Sequence, residues 1–153
     1  MGLNLGDTTL TKYAEGTFTM KCYLASDDSD LTTPSAGLAC TYVIVGKQCI
    51  VTIPATAAAL VYLGNINANV YMGNFPAEID PASCKIVPIF YSLDGSNRSA
   101  GYLGRYAAGK WILLKSDLTR QALPAMGANN LEISMRGNQA ASDAKVQMIY
   151  SLD

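Results

Sequence analysis

The strongest constraint on the fold is alternation. From Gly16 onward the residues change face at every step: Phe18, Met20 and Cys22 fall on one side, Thr17, Thr19 and Lys21 on the other. A period of two belongs to a half-buried strand, because successive side chains of extended backbone point to opposite faces. The period returns at Gly37 to Val45, which aligns Leu38, Cys40, Tyr42 and Ile44, and at Gln48 to Ile53, which aligns Cys49, Val51 and Ile53. Val45-Gly46-Lys47 is a tight turn between them, so the two segments form a β-hairpin.

Other short apolar runs, alternating clearly from Leu131 and from Val146, complete the set. Asn67 to Met72, Cys84 to Ser92, Ala100 to Tyr106, Lys110 to Lys115, Leu131 to Arg136 and Ala144 to Leu152 read as strands. With a first strand at 16–24 they make about nine. Cys84 to Ser92 is apolar on both sides, Ile86, Pro88 and Phe90 against Val87, Ile89 and Tyr91, so both sides are expected to be covered. Pro88 places this strand at an edge or a bulge, since proline gives no N–H to a ladder. Asp94-Gly95-Ser96-Asn97-Arg98-Ser99 is the tip of the next hairpin. Residues 55–66 are Ala-rich but confined by Pro54 and Gly64, and read as a loop or irregular edge. Ser116 or Asp117 is placed to cap one helical turn that Pro124 stops. Many short strands with almost no helix predict an all-β fold, an antiparallel β-sandwich of jelly-roll type. Residues 16–153 make that single domain, and residues 1–15 read as a lead-in from an upstream stalk or domain.

Composition narrows the chemistry. The net charge is −1 and the basic residues are scattered singly, which gives nucleic-acid binding little support. Low charge and high apolar content point instead to self-association. The chain has no histidine, which removes Ser-His-Asp and Cys-His catalysis and the commonest zinc ligand together. Cys22, Cys40, Cys49 and Cys84 are widely spaced, each in a strand-like run, and read as buried thiols rather than a disulfide framework. Asp27-Asp28-Ser29-Asp30 lacks the glycine and the distal glutamate of a calcium loop, so a solvated turn is expected, with no metal and no cofactor. Met1 to Leu5 has neither the basic start nor the apolar run of a secretory leader. The longest apolar run, Cys49 to Leu63, contains Pro54 and falls short of the ~20 residues that span a bilayer, so no membrane insertion is expected.

Three segments also carry a resemblance. Leu10, Tyr13 and Glu15-Gly16-Thr17-Phe18-Thr19 form one. The tyrosine strand, glycine turn and return strand from Tyr42 to Ile53-Pro54-Ala55 form the second. Gly73-Asn74-Phe75-Pro76-Ala77 with Asp80-Pro81-Ala82 forms the third, carrying Phe75 and Asp80 where the pattern has leucine and arginine. Together they resemble the C-terminal domains of tailed-bacteriophage tail fibres and tailspikes, over most of the chain at low similarity. The resemblance implies a parallel homotrimer at the tip of a fibre on the virion, assembled in the bacterial cytoplasm and joined to upstream fibre or spike domains. It also implies a receptor-binding role, with any depolymerase activity in a separate domain.

Candidate residues follow from this. Sugars are held by aromatic faces and planar polar side chains. Tyr91, Tyr102, Arg105, Tyr106 and Trp111, beside a hairpin tip carrying Asp94, Asn97 and Arg98, are the expected contacts for a bacterial surface glycan or outer-membrane receptor. The bland alternative is that strand tyrosines pack on the core or a subunit interface. The loops Ser26–Ala36, Asp94–Ser99 and Gly137–Asp143 are the expected contact surfaces. No catalytic residue is expected: a glycosidase needs two carboxyls in a cleft, and the acids here sit mostly in turns. A capping module that only trimerises and a small polysaccharide-degrading enzyme remain the alternatives.

Overall fold

The computed structural model describes residues 3–5, 8–10, 13–31, 37–54, 60–62, 68–92, 98–123, 129–134 and 146–153. Among the described residues β1 (Leu3–Leu5) and β2 (Thr8–Leu10) pair with each other, as a small two-stranded sheet. The second sheet contains β3 (Tyr13–Leu24), β4 (Leu38–Val45), β5 (Gln48–Ile53), β6 (Leu60–Tyr62), β7 (Ala68–Gly73) and β8 (Ile86–Ser92). It continues with β9 (Arg98–Ala107), β10 (Lys110–Lys115), β11 (Ala122–Leu123), β12 (Asn129–Ser134) and β13 (Val146–Ser151). Each of the nine expected strands is present, and β1, β2, β6 and β11 are short additions to them.

The pairings are antiparallel and run in the order β13-β5-β4-β3-β7-β10-β9-β8-β12-β6, with β11 against β7. The first eight strands of that path roll into a nearly closed barrel. β3 produces much of the roll. Its residues Tyr13 to Met20 pair with β4, and Lys21 to Leu24 pair with β7 on the other side. That stagger is what tilts strands enough for a sheet to curl on itself. The closing edges meet where β13 approaches β8. There the Ala82 N–H donates to the Leu152 carbonyl at 3.0 Å and the Ser83 hydroxyl to the Asp153 carbonyl at 2.7 Å. The Tyr150 hydroxyl, buried, donates to the Ile79 carbonyl at 2.8 Å.

Alternation fills the barrel as expected. Leu38, Cys40, Tyr42 and Ile44 of β4, Cys49, Val51 and Ile53 of β5, and Met148 and Tyr150 of β13 are buried. So are Met20, Cys22, Val70, Met72, Val87, Ile89, Leu103 and Leu113 from the other strands. Trp111 is 0 % exposed and packs on Tyr150 at 5.0 Å and Phe75 at 5.7 Å between ring centroids. Its indole N–H is buried with no acceptor among the described residues. Burial pushes the Cys22 and Cys40 thiols up to about 12.

Several local expectations are corrected. Cys84 is exposed and lies before β8, which begins at Ile86, so only Cys22, Cys40 and Cys49 are buried thiols. Of β8's second side, Ile86 is 46 % exposed and Pro88 is exposed, so in the single chain that side is open to solvent. Arg98 and Ser99 belong to β9, paired with Ser92 and Tyr91, rather than to the hairpin tip. Residues 116–121 make no helical turn. Leu118 is left-handed at φ 66°, and the Asp117 carboxylate accepts from the Thr119 N–H and hydroxyl, closing a hairpin from β10 into β11. Within 55–66, β6 pairs with β12, and the remaining positions lie outside the described residues.

Candidate functional site

The outer face of β3, β7 and β10 carries an organised polar cluster. Val70 and Met72 point inward, so Tyr71 lies on the outer side, where its neighbours cover it and leave it 4 % exposed; likewise Cys22 is inward and Tyr23 outward and half-buried. The register places Tyr23 opposite Tyr71 and Tyr71 opposite Ile112. The two tyrosine rings stack, with centroids 5.3 Å apart and planes at 20°. Gly73 makes this possible: a Cβ there would lie 2.8 Å from the Tyr23 ring and 2.9 Å from the Tyr71 ring.

Polar groups converge on this stack from two turns. Asp28, in the turn after β3, accepts at Oδ1 from the Tyr71 hydroxyl at 2.6 Å and from Lys110 Nζ at 2.9 Å. Lys110 Nζ lies 4.6 Å from the Tyr71 ring centroid. Asn74, just after β7, accepts at Oδ1 from the Tyr23 hydroxyl at 3.0 Å and donates from Nδ2 to the Thr19 carbonyl at 3.2 Å. Asp28 (φ 61°) and Asn74 (φ 70°) are both left-handed, a conformation that asparagine and aspartate adopt more readily than other non-glycine residues. The cluster lines a cavity of about 390 Å³ together with Gly109.

Electrostatics hold the cluster together. Hydrogen bonds from Tyr71, then Lys110, keep the Asp28 carboxyl below the usual carboxylate range. The hydrogen bond to Asp28, then that to Tyr71, raises the Lys110 ammonium. Burial first, and the Asp28 bond second, raises the Tyr71 phenol. Among the described residues Asp28 Oδ2 carries no partner, so the cluster keeps an acceptor facing solvent beside a cation and an aromatic ring. The acidic run does not converge on one point. Asp27 accepts from the Ser29 N–H and hydroxyl, Asp28 turns to Tyr71 and Lys110, and Asp30 pairs with Lys21 at 2.7 Å.

The residues expected from sequence are scattered. Trp111 and Tyr91, 0 % and 5 % exposed, are core rings and offer no face to a ligand. Tyr91 donates to Gln121 Oε1 at 2.8 Å. Arg105 grips Asp80 in two bonds of 2.8 and 3.2 Å, an ion pair that ties β9 to the corner before β8. Asp80 Oδ1 also accepts from the Gly109 N–H at 3.2 Å. Burial works against the charged Asp80, but the Arg105 bonds and the Gly109 N–H outweigh it and depress its pKa. Tyr102 is half-buried on the outer face of β9 and lines, with Pro88, Phe90 and Ala100, an apolar cavity of about 310 Å³. Tyr106 is 46 % exposed and stacks under Arg120, whose guanidinium carbon is 4.9 Å from its centroid. Arg98 begins β9; Asp94, Asn97 and the loop Gly137–Asp143 lie outside the described residues, as do 32–36 of the Ser26–Ala36 loop.

The sequence held a signal for part of what was missed. Alternation from Thr17 through Lys21 already places Tyr23 on the solvent side of β3. Asp28 falls within the Ser26–Ala36 loop expected to make contacts. Nothing local could have joined Asp28 to Lys110, 82 positions apart in the chain. No family model matches this chain, and comparison with curated proteins and with solved structures finds no match.

Proposed function

We propose that this chain is a non-catalytic, glycan-binding tip domain of a tailed-phage tail fibre or tailspike, working as a homotrimer on the virion during adsorption to a bacterial surface. The observation that carries the binding part is the outer-face cluster of Tyr23, Asp28, Asn74 and Lys110. It sets a ring wall beside fixed donors and acceptors, the pairing of apolar face and hydroxyl-matching edges that a sugar ring needs. The fibre context rests on the three resembling segments. The carboxylates around the cluster are engaged in ion pairs and turn bonds rather than facing each other across a cleft, in keeping with binding without catalysis.

The same reading extends to assembly. Ile86 and Pro88 exposed on β8, with Phe90 and Tyr102 beside them, supply an apolar outer surface for neighbouring copies. Three weak sites on one rigid tip then act together, which is how avidity arises without tight single sites. In this reading β13, β5, β4 and β3 face β7, β10, β9 and β8 as the two layers of a jelly-roll-like sandwich. The contact of Trp111 in β10 with Tyr150 in β13 supports that description.

The test is binding of the purified chain to an array of bacterial surface oligosaccharides, beside Tyr23→Ala. The expected result is retention on a subset of glycans, lowered roughly tenfold by the substitution, the scale of one lost aromatic contact. Retention that Tyr23→Ala leaves unchanged removes the site; new reducing ends on incubation with polysaccharide would make the chain an enzyme instead.

A further inference from the structure

A second cavity opens on the other side of the turn that carries Asp28. It encloses about 320 Å³ and is lined by Ala25, Ser26, Asn69, Tyr106 and Arg120. Asn69 lies two positions before Tyr71 on the same outward row of β7, so the cavity and the tyrosine cluster are roughly 7 Å apart along one strand. The Ala25 N–H donates to the Asn69 carbonyl at 2.9 Å, which ties the shared turn to that strand.

The two cavities differ in charge. In the first, Lys110 and Asp28 neutralise each other at 2.9 Å. In the second, Arg120 is exposed and makes no ion pair among the described residues, whereas Lys21, Lys47 and Arg105 each sit on a carboxylate. The nearest acid in sequence, Asp117, is turned to Thr119. Arg120 is also held. Its backbone bridges to Leu114, and its guanidinium lies on Tyr106. Tyr106 is itself the extra residue of a β-bulge, where the β9–β10 register skips from Ala107 to Arg105 between Lys110 and Trp111. A stacked guanidinium keeps its N–H edge available in a fixed plane, which suits a planar oxyanion.

We propose that this cavity is an anion subsite, and that the ligand of the tip is an acidic oligosaccharide with a neutral sugar against Tyr23 and an oxyanion-bearing sugar, carboxylate or phosphate, at Arg120. Asn69 and Ser26 supply the hydrogen bonds to that sugar's hydroxyls. The inference rests on the glycan reading above and adds the charge class and polarity of the ligand.

The experiment prints each acidic bacterial oligosaccharide beside its carboxyl-reduced form, with phosphate-bearing glycans as a third arm, and compares the whole wild-type chain with Arg120→Ala and Arg120→Lys. Wild type is expected to prefer the acidic forms, with the preference shrinking as salt is raised because the cation is exposed. Arg120→Ala is expected to lose roughly tenfold on acidic forms and nothing on reduced ones, with partial rescue by Arg120→Lys. Whether carboxylate or phosphate glycans show the loss identifies the anion. Equal binding of acidic and reduced forms by wild type overturns the subsite and leaves the glycan reading standing. An equal loss on both forms in Arg120→Ala, with an unchanged melting curve, makes Arg120 a general contact and also overturns it. Retention on no glycan overturns both readings.

Discussion

Two parts of the outer surface are built in opposite ways. Over β3, β7 and β10, each tyrosine hydroxyl has a partner, Tyr71 on Asp28 and Tyr23 on Asn74, and two left-handed residues hold those partners in place. Over β8 and β9, Pro88, Phe90, Ala100 and Tyr102 line an apolar hollow, with Ile86 exposed two positions before Pro88 on the same strand. Fixed donors and acceptors beside an aromatic wall suit the first area to a ligand rich in hydroxyls. The second is mostly aliphatic and aromatic carbon and gains chiefly by losing water, which suits another apolar surface. Both rest on one core, since Leu103, Trp111 and Leu113 lie on the inner side of the same strands.

That shared core is the place to remove the distinction altogether. Trp111→Ala is expected to cost about 3–5 kcal/mol, because it empties a fully buried site that bridges β10 to Tyr150 and Phe75. Ligand binding and assembly should fall together, with a large drop in melting temperature by calorimetry. Trp111→Phe should cost far less, since it keeps a ring and removes an indole N–H that has no acceptor among the described residues. A Phe variant as unstable as the Ala variant would mean that the indole's polar atom matters to the core.

A smaller and more selective effect is expected at Asp80. Its carboxylate holds Arg105 and also the N–H of Gly109, the neighbour of Lys110, so it positions one wall of the polar area and none of the apolar one. Asp80→Asn is expected to cost about 2 kcal/mol, below the loss for a fully buried pair because the Arg105 side chain is 22 % exposed. Glycan binding should weaken while the oligomeric mass stays the same. The sign with pH follows from the depressed folded pKa of Asp80. Its contribution is complete above the unfolded carboxyl value near ~3.9, and is lost as pH falls through the lower folded value. Acid titration of the variant should therefore lack one component that wild type shows below about pH 4. Identical acid unfolding of the two would remove the ion pair from the account.

The contrast also explains what could be read from sequence. Strand positions were legible where burial imposes a period of two: β5 has the bounds that alternation gives, and β3 extends it back to Tyr13, while β10 was legible from its apolar run between two lysines. The apolar character of both sides of β8 was legible for the same reason. How the strands join was not, because a sandwich and a rolled sheet put the same residues inside. The polar cluster was the hardest part. Tyr91 and Tyr23 are the same residue type on two strands of one sheet path, and only tertiary register puts Tyr91 in the core and leaves Tyr23 half-buried on the outer side. Arg105 looked available because its partner, Asp80, is 25 positions away and sits where the resembling pattern has a basic residue.

The smallest stability change should come from the apolar area, and it separates the two surfaces most cleanly. Ile86 is 46 % exposed in the single chain, so Ile86→Lys removes little that folding buries and should move stability by no more than about 0.5 kcal/mol. Its effect belongs to assembly. A lysine at the exposed end of β8 in each copy would carry charge into an apolar contact, and an unpaired buried charge is expensive. Light scattering is expected to give a three-fold mass for wild type and a single-chain mass for the variant. Glycan binding per chain should be unchanged, and the avidity on a densely coated surface should be lost. A wild-type chain that stays single at micromolar concentration ends the trimer proposal. A variant that stays three-fold moves the contact to another face, with Ile149, 55 % exposed on β13, as the next residue to charge.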